Sequence, residues 1–413
     1  MSDQTTTPDV LAGIRVLDFT ERMQGPYGTQ MLSDLGAEII KVERVQSLTP
    51  DGRPDERYGS NGQYGRTEED STFYPAGFLA ANRNKKSVTI DLKSPAGKEV
   101  VRRLVEKVDV VYENFRPGVM ERLGIGYDDC RAINPSIIYA SASGYGPDGP
   151  YARKPGQDVL AQAVGGFGAI NASGDGRPTA VGMSITDVMG GMNGAFAVLA
   201  ALFHRERTGE GQRVGVCLLD SAIAAQSEQA VHFLNTQVGE PDRGTPMHAH
   251  PYIPPPYGFY ATKDGYLALS SGRQIPQLAR ILDAPELLDS RFEGYWGRAR
   301  NRVEMEELIE ARLRTRTSAE WLEVMEAEDL FVAPVKTFAE TFTDPQVVHN
   351  GMVVSVDSPI GELKLIGPAF KLSATPARVR TAPPTHGQHT DEILGFAGYT
   401  PGEIAGLREA GAV

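Results

Sequence analysis

Residues 14–42 of the chain contain Ile14-Arg-Val-Leu-Asp18, then a helical pattern over 28–35, and then Ala37-Glu-Ile-Ile-Lys-Val42. The two apolar runs have the length of buried strands, and the segment between them has the length of a short helix. A strand, a helix and a second strand in this order form a βαβ unit, whose two strands run parallel. These residues therefore predict an α/β fold.

The same alternation continues through the first third of the chain. Strands are predicted at 87–92, 109–112 and 136–140. A helix is predicted at 95–107, with Pro95 in its first turn, where a missing N–H donor does no harm. Strands separated by helices indicate a mostly parallel sheet.

The middle of the chain breaks this alternation. Two segments, 46–71 and 236–256, are rich in glycine, proline or charged residues and show no periodicity. Long segments of this kind are usually functional or serve as linkers. A hairpin over 257–269, with its turn at Lys263-Asp264-Gly265, then opens what we predict to be a second, smaller domain. The later predicted elements are helices at 302–315 and 318–328 and a strand at 352–356.

The composition excludes several classes of protein. The 413 residues include 41 Lys and Arg and 53 Asp and Glu, so the formal net charge is −12. This balance disfavours nucleic acid as a partner, because phosphate neutralisation needs clustered cations. The first ten residues contain no apolar signal segment. The longest uncharged apolar run, 188–203, is shorter than the roughly 20 residues of a membrane helix and predicts a buried core helix. We therefore expect a soluble, cytoplasmic protein with no nucleic-acid or membrane partner.

Common catalytic and metal-binding motifs are absent from the sequence. It has no phosphate-binding Gly-x-x-x-x-Gly-Lys, no Gly-x-Gly-x-x-Gly after the first strand and no Gly-x-Ser-x-Gly. The seven histidines are scattered without a carboxylate at metal-ligand spacing, so we expect no metal. Only two cysteines are present, Cys130 and Cys217, and the apolar pattern around Cys217 predicts a buried, inert thiol.

One acidic residue stands in an unusual place. Asp187 is the only Asp, Glu, Lys or Arg within 178–204, and it immediately precedes the apolar run. Two interpretations stay open: a helix N-cap, a contact worth about 1 kcal/mol, or a nucleophilic carboxylate kept ionised by the helix N-terminus. Three glycines follow within two turns: Gly190, Gly191 and Gly194. Each lowers intrinsic helix stability by up to about 1 kcal/mol, which indicates close approach of backbone or of a ligand.

A set of sequence motifs occurs in a fixed order along the chain. They are Asp18-Phe-Thr20 with Gly25-Pro26, Leu32-Ser-Asp-Leu-Gly-Ala-Glu-Ile-Ile-Lys-Val-Glu43, Asn82-Arg-Asn-Lys-Lys-Ser-Val-Thr-Ile-Asp-Leu-Lys93, Glu113-Asn-Phe-Arg-Pro-Gly118, Ser141-Ala-Ser-Gly-Tyr-Gly-Pro-Asp-Gly-Pro150, Gln157-Asp158, Arg205-x-Arg-Thr-Gly-Glu-Gly-Gln212 and Gly387-x-His-Thr-Asp391. Together they resemble the family III CoA-transferases, the CaiB/BaiF family, which includes formyl-CoA transferase and carnitine CoA-transferase.

The resemblance implies an enzyme that moves CoA from an acyl-CoA thioester to a free carboxylic acid. It implies an interlocked homodimer in which both termini, here 1–225 and 335–413, form a large Rossmann-like domain, and 226–334 forms a smaller α+β middle domain. The family nucleophile matches Asp187 in Ser184-Ile-Thr-Asp187. It forms an aspartyl anhydride and then an aspartyl-CoA thioester. No cofactor is implied beyond the CoA thioester itself, which is a substrate.

Contacts with the acyl-CoA are also implied. Gln24, beside Gly25-Pro26, is expected near the acyl group, although the formyl-CoA:oxalate branch has its glutamine one residue earlier, which leaves a simple turn role open. CoA carries phosphates and an adenine, so it needs local cations and stacking partners despite the negative net charge. The residues expected to contact it are Arg44, Lys85, Asn114, Phe115, Arg122 and Tyr145. The alternatives are a solvated surface charge for each basic residue and core packing for Phe115.

Two other functions stay open beside transfer. An α-methylacyl-CoA racemase of the same family needs a base on each face of the α-carbon. Such racemases have His where this chain has Gln157, and an acid where it has Ile275, ahead of Pro276-Gln277. Because a glutamine amide does not titrate near neutrality, transfer is favoured over racemisation. The second alternative is a non-catalytic CoA-binding protein, against which the intact Asp187 argues.

The acid that accepts CoA is less well determined by the sequence. No tetraglycine run lies within 231–273, so oxalate specificity is not expected. Arg53, Arg57 and Arg66 in the segment 46–71 suggest a dicarboxylic acid such as succinate, because a second carboxylate would pair with a guanidinium group.

Overall fold

The structure, a computed structural model, describes residues 9–45, 76–172, 176–236, 239–241, 243–358 and 361–413. The chain divides into two compact units, the first made of 1–161, 183–222 and 345–413 and the second of 162–182 and 223–344. These units place 162–182 with the middle of the chain. The domain boundaries given above, 1–225 with 335–413 and 226–334, stay predictions. The predicted segment 46–71, with Arg53, Arg57 and Arg66, lies outside the described residues.

The described residues contain three sheets. Their strands are β1 Arg15–Asp18, β2 Glu38–Glu43, β3 Lys85–Thr89, β4 Val110–Glu113, β5 Ile138–Ser143, β6 Arg213–Cys217, β7 Gly258–Ala261, β8 Tyr266–Leu269, β9 Val332–Pro334, β10 Val353–Ser358 and β11 Gly361–Ile366. In the first unit, β1 to β6 form one sheet in the order β3-β2-β1-β4-β5-β6. All five neighbouring pairs of this sheet are parallel. This is the strand order of a Rossmann fold, so the predicted α/β class is confirmed.

Helices lie between these strands, and further helices belong to the second unit. They are α1 Gln24–Asp34, α2 Ala76–Ala81, α3 Pro95–Val105, α4 Val119–Leu123, α5 Tyr127–Ile133, α6 Asp158–Val164, α7 Phe167–Ile170, α8 Ile185–Thr208, α9 Leu218–Ala225, α10 Ser227–Asn235, α11 Ile275–Ile281, α12 Gly294–Arg300, α13 Arg302–Leu313, α14 Ser318–Glu326, α15 Phe338–Thr343, α16 Pro345–His349, α17 Thr390–Phe396 and α18 Pro401–Glu409. Two short 3₁₀ helices lie at Pro285–Leu288 and Ser290–Phe292.

The large sheet is buried on both faces because helices pack on each side of it. Successive side chains of a strand point to opposite faces, so each strand contributes to both cores. In β1, Val16 packs in one core with Leu32 of α1 and Val198 of α8. The next residue, Leu17, packs in a second core with Leu104 of α3 and Leu394 of α17. Apolar runs therefore appear in the strands where a half-exposed sheet would show alternation.

The C-terminal motif Gly387-x-His-Thr-Asp391 covers the edge of the sheet at β3. The backbone N–H of His389 donates to the carbonyl of Ser87 at 2.9 Å, and His389 Nδ1 accepts from the N–H of Ser87 at 3.1 Å. Gly387 donates its N–H to Ser87 Oγ at 2.8 Å. This strand edge is therefore paired with the chain's own C-terminal segment and is not left open.

The second unit has its own core. The predicted hairpin is confirmed as β7 paired antiparallel with β8, and β9 adds to β8 as a third antiparallel strand. Tyr260, Leu267, Met305 and Trp321 are buried in the cluster that joins this sheet to the helices around it.

Helix α8 is long and apolar enough to cross a membrane by length and composition alone. Its buried side, which includes Ala195, Val198 and Ala201, packs in the core beneath the parallel sheet. The opposite side is exposed. The prediction of a core helix is thus confirmed for one face only.

Candidate active site

Helices α1 and α8 pack at backbone contact distance along a seam of glycines. A Cβ built on Gly191 would lie 2.6 Å from the carbonyl oxygen of Gln24, and one built on Gly28 would lie 2.8 Å from the carbonyl oxygen of Gly191. A Cβ on Gly194 would overlap the hydroxyl of Tyr112. The glycines of α8 thus permit an approach that a side chain would block, as the sequence indicated.

Asp187 lies in the first turn of α8, not before it. The N-cap is Ser184, which makes no side-chain capping bond. The interpretation of Asp187 as a simple N-cap is therefore wrong. A capping carboxylate must accept the free N–H groups of the first turn, and here another residue does so.

Asp158 caps the helix from 29 positions earlier in the chain. One of its carboxylate oxygens accepts the N–H of Thr186 at 2.7 Å, the hydroxyl of Thr186 at 2.8 Å and the N–H of Asp187 at 3.2 Å. Asp158 belongs to the motif Gln157-Asp158, but no local spacing relates it to the start of α8, so its capping role could not be predicted from the sequence.

The Asp187 carboxyl has a perturbed acidity. Burial raises its pKa from the ordinary value, the negative charge of Asp158 raises it further, and the result is about 7. Reactive carboxylates are frequently buried in part and lie beside a like charge, and both features perturb their pKa.

Gln24 faces the same turn of α8. Its side chain is 5% exposed, and its Nε2 has no hydrogen-bond acceptor in the described part of the chain. A Cβ on Gly190 would lie 2.8 Å from that Nε2. Because Gly190 follows Asp187 by three residues, both positions share one face of the helix. Gln24 therefore brings an unused amide donor to the side of α8 that carries Asp187.

Tyr112, at the end of β4, contributes a second buried polar group to the seam. Its hydroxyl has no partner among the described residues, and it lies against both Gly194 and Gly28. Burial raises the pKa of this phenol above its ordinary range. The hydroxyl therefore stays protonated and acts as a neutral group.

The residues expected to contact CoA, apart from Lys85 and Arg122, follow the carboxyl ends of parallel strands. Arg44 comes after β2, Asn114 and Phe115 after β4, and Tyr145 after β5. In an open α/β sheet, ligands bind at this edge, where the strand order reverses. Here the order reverses between β1 and β4. The structure thus brings these four residues to one sheet edge.

Asn114 holds the two loops at that reversal point together. Its Oδ1 accepts the N–H of Glu21 at 2.8 Å, and its Nδ2 donates to the carbonyl of Glu21 at 2.7 Å. Arg44 is exposed and lies 3.4 Å from the carboxylate of Glu21. Asn114 therefore shapes this edge through the backbone, while Arg44 presents a charge at the surface.

The other expected contacts differ in exposure. Phe115 is half-buried against the core beneath α4, and its N–H donates to Glu113 at 2.8 Å. Arg122 is exposed at the end of α4. Tyr145 is half-buried and packs edge-on against Tyr151, with ring centroids 5.8 Å apart.

The side chain of Lys85 is completely buried. Its ammonium is fully buried and contacts four protein oxygens at 2.8–3.1 Å, those of Asp18, Pro26, Thr29 and Asn82. An ammonium group has three donors, and all of them are used inside the protein. The expected contact of Lys85 with CoA is therefore not supported, and the residue is an internal cation.

Glu113 is a second residue to which the sequence analysis gave no role. It borders a small cavity of about 30 Å³ at the same sheet edge, together with Phe115, Ser141 and Arg213. Burial raises the pKa of its carboxyl to about 7. Among the described residues, no three His, Cys, Asp or Glu side chains are grouped as metal ligands.

Comparison with known proteins identifies the family. The model of CoA-transferase family III matches residues 11–390. The chain is 36% identical to succinyl-CoA:glutarate CoA-transferase of Mus musculus, over 93% of this chain and 85% of that protein. It is 33% identical to succinate–glutarate CoA-transferase of Agrobacterium fabrum, over 95% and 97% of the two chains.

Solved structures agree with this result. A CAIB/BAIF family protein from Brucella suis superposes with a TM-score of 0.80 at 30% identity, over 95% of this chain and all of that one. Rv3272 from Mycobacterium tuberculosis superposes with a TM-score of 0.78 at 33% identity, over 94% and 100% of the two chains. The chain therefore belongs to CoA-transferase family III, and it is an enzyme with CoA-transferase activity.

Proposed function

We propose that this enzyme moves CoA from an acyl-CoA thioester to a free carboxylic acid by covalent catalysis through Asp187. The observation that carries the proposal is the first turn of α8. A partly buried carboxylate lies there with no cation partner among the described residues, and the Gln24 amide, whose Nε2 has no acceptor in that part of the chain, faces the same side of the helix.

The chemistry proceeds in four balanced steps. The Asp187 carboxylate attacks the thioester carbonyl, and CoA leaves as a thiolate, which produces a mixed anhydride. The thiolate then attacks the aspartyl carbonyl, so that the donor acid leaves and an aspartyl-CoA thioester forms. The acceptor carboxylate attacks this thioester and expels CoA thiolate again. Finally the thiolate attacks the acyl carbonyl of the new anhydride, which releases the product acyl-CoA and restores Asp187.

The site supports this sequence in two physical ways. A carboxylate is a weak nucleophile in water, but holding it against the bound thioester supplies about 7–11 kcal/mol through proximity and orientation. Each attack produces a tetrahedral oxyanion, and a preorganised N–H donor stabilises such a charge. Gln24 Nε2 is our candidate for that donor.

The nucleotide end of CoA is assigned to the edge of the parallel sheet. We propose that Arg44 and Arg122 pair with its phosphates, and that Phe115 and Tyr145 contact the adenine or the pantetheine arm. Asn114 shapes the loop between them through its bonds to Glu21. We propose no cofactor beyond the CoA thioester substrate.

A dicarboxylic acid is our proposed acceptor. Relatives that match nearly the whole chain are named for succinate, glutarate, D-citramalate and L-malate. Succinyl-CoA with glutarate is therefore the first pair to test, and oxalate, named for another relative, is the comparison acid.

We also propose that the enzyme is an interlocked homodimer. Helix α8 carries Met192, Phe196 and Phe203 on one side, with exposed fractions of 47%, 75% and 64%. Their spacing of four and seven residues places them on one stripe of the helix. Because contiguous exposed apolar side chains mark protein interfaces, we expect this stripe to contact a second subunit. Light scattering should give the mass of a dimer.

The decisive experiment combines the purified enzyme with several acyl-CoA donors and a panel of acids in D₂O, followed by mass spectrometry. Formation of a new acyl-CoA without deuterium at the α-carbon is expected.

Hydroxylamine added during turnover should convert Asp187 to its hydroxamate, detected by peptide mapping, and Asp187→Asn is the matched control. Deuterium at the α-carbon without exchange of acids would indicate a racemase. Bound CoA with neither reaction would indicate a binding protein.

A further inference from the structure

The buried ammonium of Lys85 lies beneath the helix that carries Gln24. Lys85 opens β3, and its Nζ donates to the carbonyl of Pro26 at 2.9 Å and to Thr29 Oγ1 at 2.8 Å. Both acceptors belong to the first turn and a half of α1. One side chain from the sheet thus holds the beginning of α1.

Asp18 completes this anchor from the adjacent part of the sheet. Its Oδ2 lies 3.1 Å from Lys85 Nζ and accepts the hydroxyl of Thr29 at 2.7 Å. Its Oδ1 accepts the N–H of Thr20 at 2.8 Å. The ion pair therefore connects β1, β3 and α1 in the completely buried interior.

The first turn of α1 lacks the side-chain contacts that usually cap a helix. Its N-cap residue, Met23, makes no side-chain capping bond, and the turn contains no acidic residue. Gln24 is the first residue of this helix, two positions before Pro26, and its amide lies against Gly190 of α8. A shift of the first turn would therefore move the Gln24 amide relative to Asp187.

We infer that Lys85 is a positioning residue for CoA transfer: its ion pair with Asp18 holds the start of α1 so that the Gln24 amide meets the site beside Asp187. The inference rests on the proposed function of Asp187 and Gln24. Lys85 does not touch the substrate, because all of its donors are used inside the protein.

The charge state of Lys85 gives this role a pH dependence. Burial lowers the pKa of its ammonium to about 8, against the opposing charge of Asp18. The other charges that face it are Lys41, which also lowers this pKa, and Glu43, which raises it, both from β2. From β4, Tyr112 faces Asp18 as a neutral phenol. Loss of the proton leaves Asp18 without its main counter-charge, so transfer should weaken as the pH rises above about 8.

The neighbouring Lys86 supplies a matched control. It follows Lys85 in the same strand, but it is partly exposed and pairs with Glu38 and Glu392, each at 2.6 Å. It has no contact with α1 in the hydrogen bonds of the described residues. The variant Lys86→Met therefore removes one charge from β3 without removing a hydrogen bond to α1, and it serves as the control.

The test measures kcat and KM for the acyl-CoA donor in the full-length enzyme from pH 6 to 10. Lys85→Met should lower kcat by about 10–100-fold, because a misplacement of about 1 Å in a catalytic group costs up to this much. KM should change by less than about threefold, since uniform binding of the nucleotide is untouched. Lys86→Met should retain wild-type values.

Two further variants keep the result interpretable. If Lys85→Met does not fold, the double variant Asp18→Asn with Lys85→Met removes both buried charges. This double variant should show the same loss of kcat, and its kcat should not decline above pH 8. Gln24→Ala with Lys85→Met should lose no more activity than Gln24→Ala alone, because residues that act as one unit are not additive.

The outcomes separate the two hypotheses. The positioning role is overturned if folded Lys85→Met, or the folded double charge variant, keeps the wild-type kcat. It is also overturned if the loss of kcat in Gln24→Ala with Lys85→Met equals the product of the two single losses. Full activity of Asp187→Asn, or of Gln24→Ala, instead contradicts the proposed function. An unchanged decline above pH 8 in the double charge variant also overturns the role of Lys85.

Discussion

Asp18 and Asp187 lie in the same compact unit, yet the protein treats their carboxyl groups in opposite ways. Burial alone would raise the pKa of Asp18, but the ammonium groups of Lys85 and Lys41 and the hydroxyls of Thr20 and Thr29 hold it below the ordinary value. Among the described residues, no cation pairs with Asp187. The negative charge of Asp158 adds to the effect of burial, and the pKa of Asp187 rises to about 7.

The difference is the one we expect between a structural carboxylate, Asp18, and the nucleophile that we propose, Asp187. A buried charge that is paired and hydrogen-bonded contributes to a defined architecture, and the ionised form of Asp18 is secured at all neutral pH values. The ionised form of Asp187 is less stable than in water and has few partners to give up before it attacks. The fold therefore pairs the buried charge of Asp18 and leaves the proposed nucleophile, Asp187, beside a like charge.

The largest expected effect is the loss of transfer in Asp187→Asn. We expect kcat to fall by about 10⁴-fold or more, as for removal of other covalent nucleophiles, with CoA binding retained. Initial rates by mass spectrometry and calorimetric titration with CoA measure the two quantities. Loss of CoA binding in this variant would show that Asp187 is structural, like Asp18.

The same variant should not lose stability. The folded pKa of Asp187, about 7, lies above the value of about 3.9 for an unfolded aspartate. The contribution of Asp187 to stability should therefore fall as the pH rises from about 4 to 7. Asp187→Asn lacks this loss, so its free energy of unfolding at pH 8 should equal or exceed that of the wild type, by up to about 2 kcal/mol in urea titrations.

The converse change, Asp18→Asn, should act on stability first. Removing one partner of a buried ion pair leaves the other charge uncompensated, at a cost of about 3–5 kcal/mol. Because Lys85 has a pKa of about 8, it can shed its proton, so the lower end of this range is expected. Urea unfolding at pH 7 and pH 9 should show a smaller loss at the higher pH. Equal losses at both values would contradict the ion-pair explanation.

The glycine seam between α1 and α8 can be tested by adding one methyl group. Gly194→Ala should destabilise the protein by about 1–3 kcal/mol, because its Cβ would overlap the hydroxyl of Tyr112 in a packed interior. Tyr112→Phe removes that hydroxyl and should recover part of the loss in the double variant, since the ring carbon that carried it still lies 3.0 Å from the new Cβ. Gly406→Ala in α18 has open space around its Cβ and should stabilise the protein by up to about 1 kcal/mol.

The smallest expected effect concerns the pH profile of Asp158→Asn. The amide oxygen can still accept the N–H of Thr186, while the negative charge that raises the pKa of Asp187 is removed. In the wild type, we expect kcat to fall on the acidic side near pH 7, because Asp187 must be ionised. In the variant, this fall should move to lower pH by about one unit, equivalent to about 1.4 kcal/mol. A shift to higher pH would mean that Asp158 acts chiefly as a hydrogen-bond acceptor.

Much of the fold in both units could be predicted from the sequence because its signals are local. The strand, helix and hairpin patterns fall within a few residues of β1, β2, α3 and the β7–β8 pair. Asp187 could be singled out because it is the only acid in a long apolar stretch. Asp158 could not, since it meets Asp187 only after residues 29 apart are brought together. Lys85 was misassigned because a lysine in a charged segment looks like a surface residue until its burial is known.

The sequence by itself determined the α/β class and the family, and it singled out Asp187, the nucleophile that we propose. These follow from hydrophobic periodicity and from motifs that lie within short stretches of chain. The tertiary structure alone decided which buried charges are paired, that α1 meets α8 through glycines, and that Asp158 caps the helix of Asp187. The physical reason is that acidity and hydrogen bonding depend on burial and on neighbours in space, which residues distant in the sequence supply.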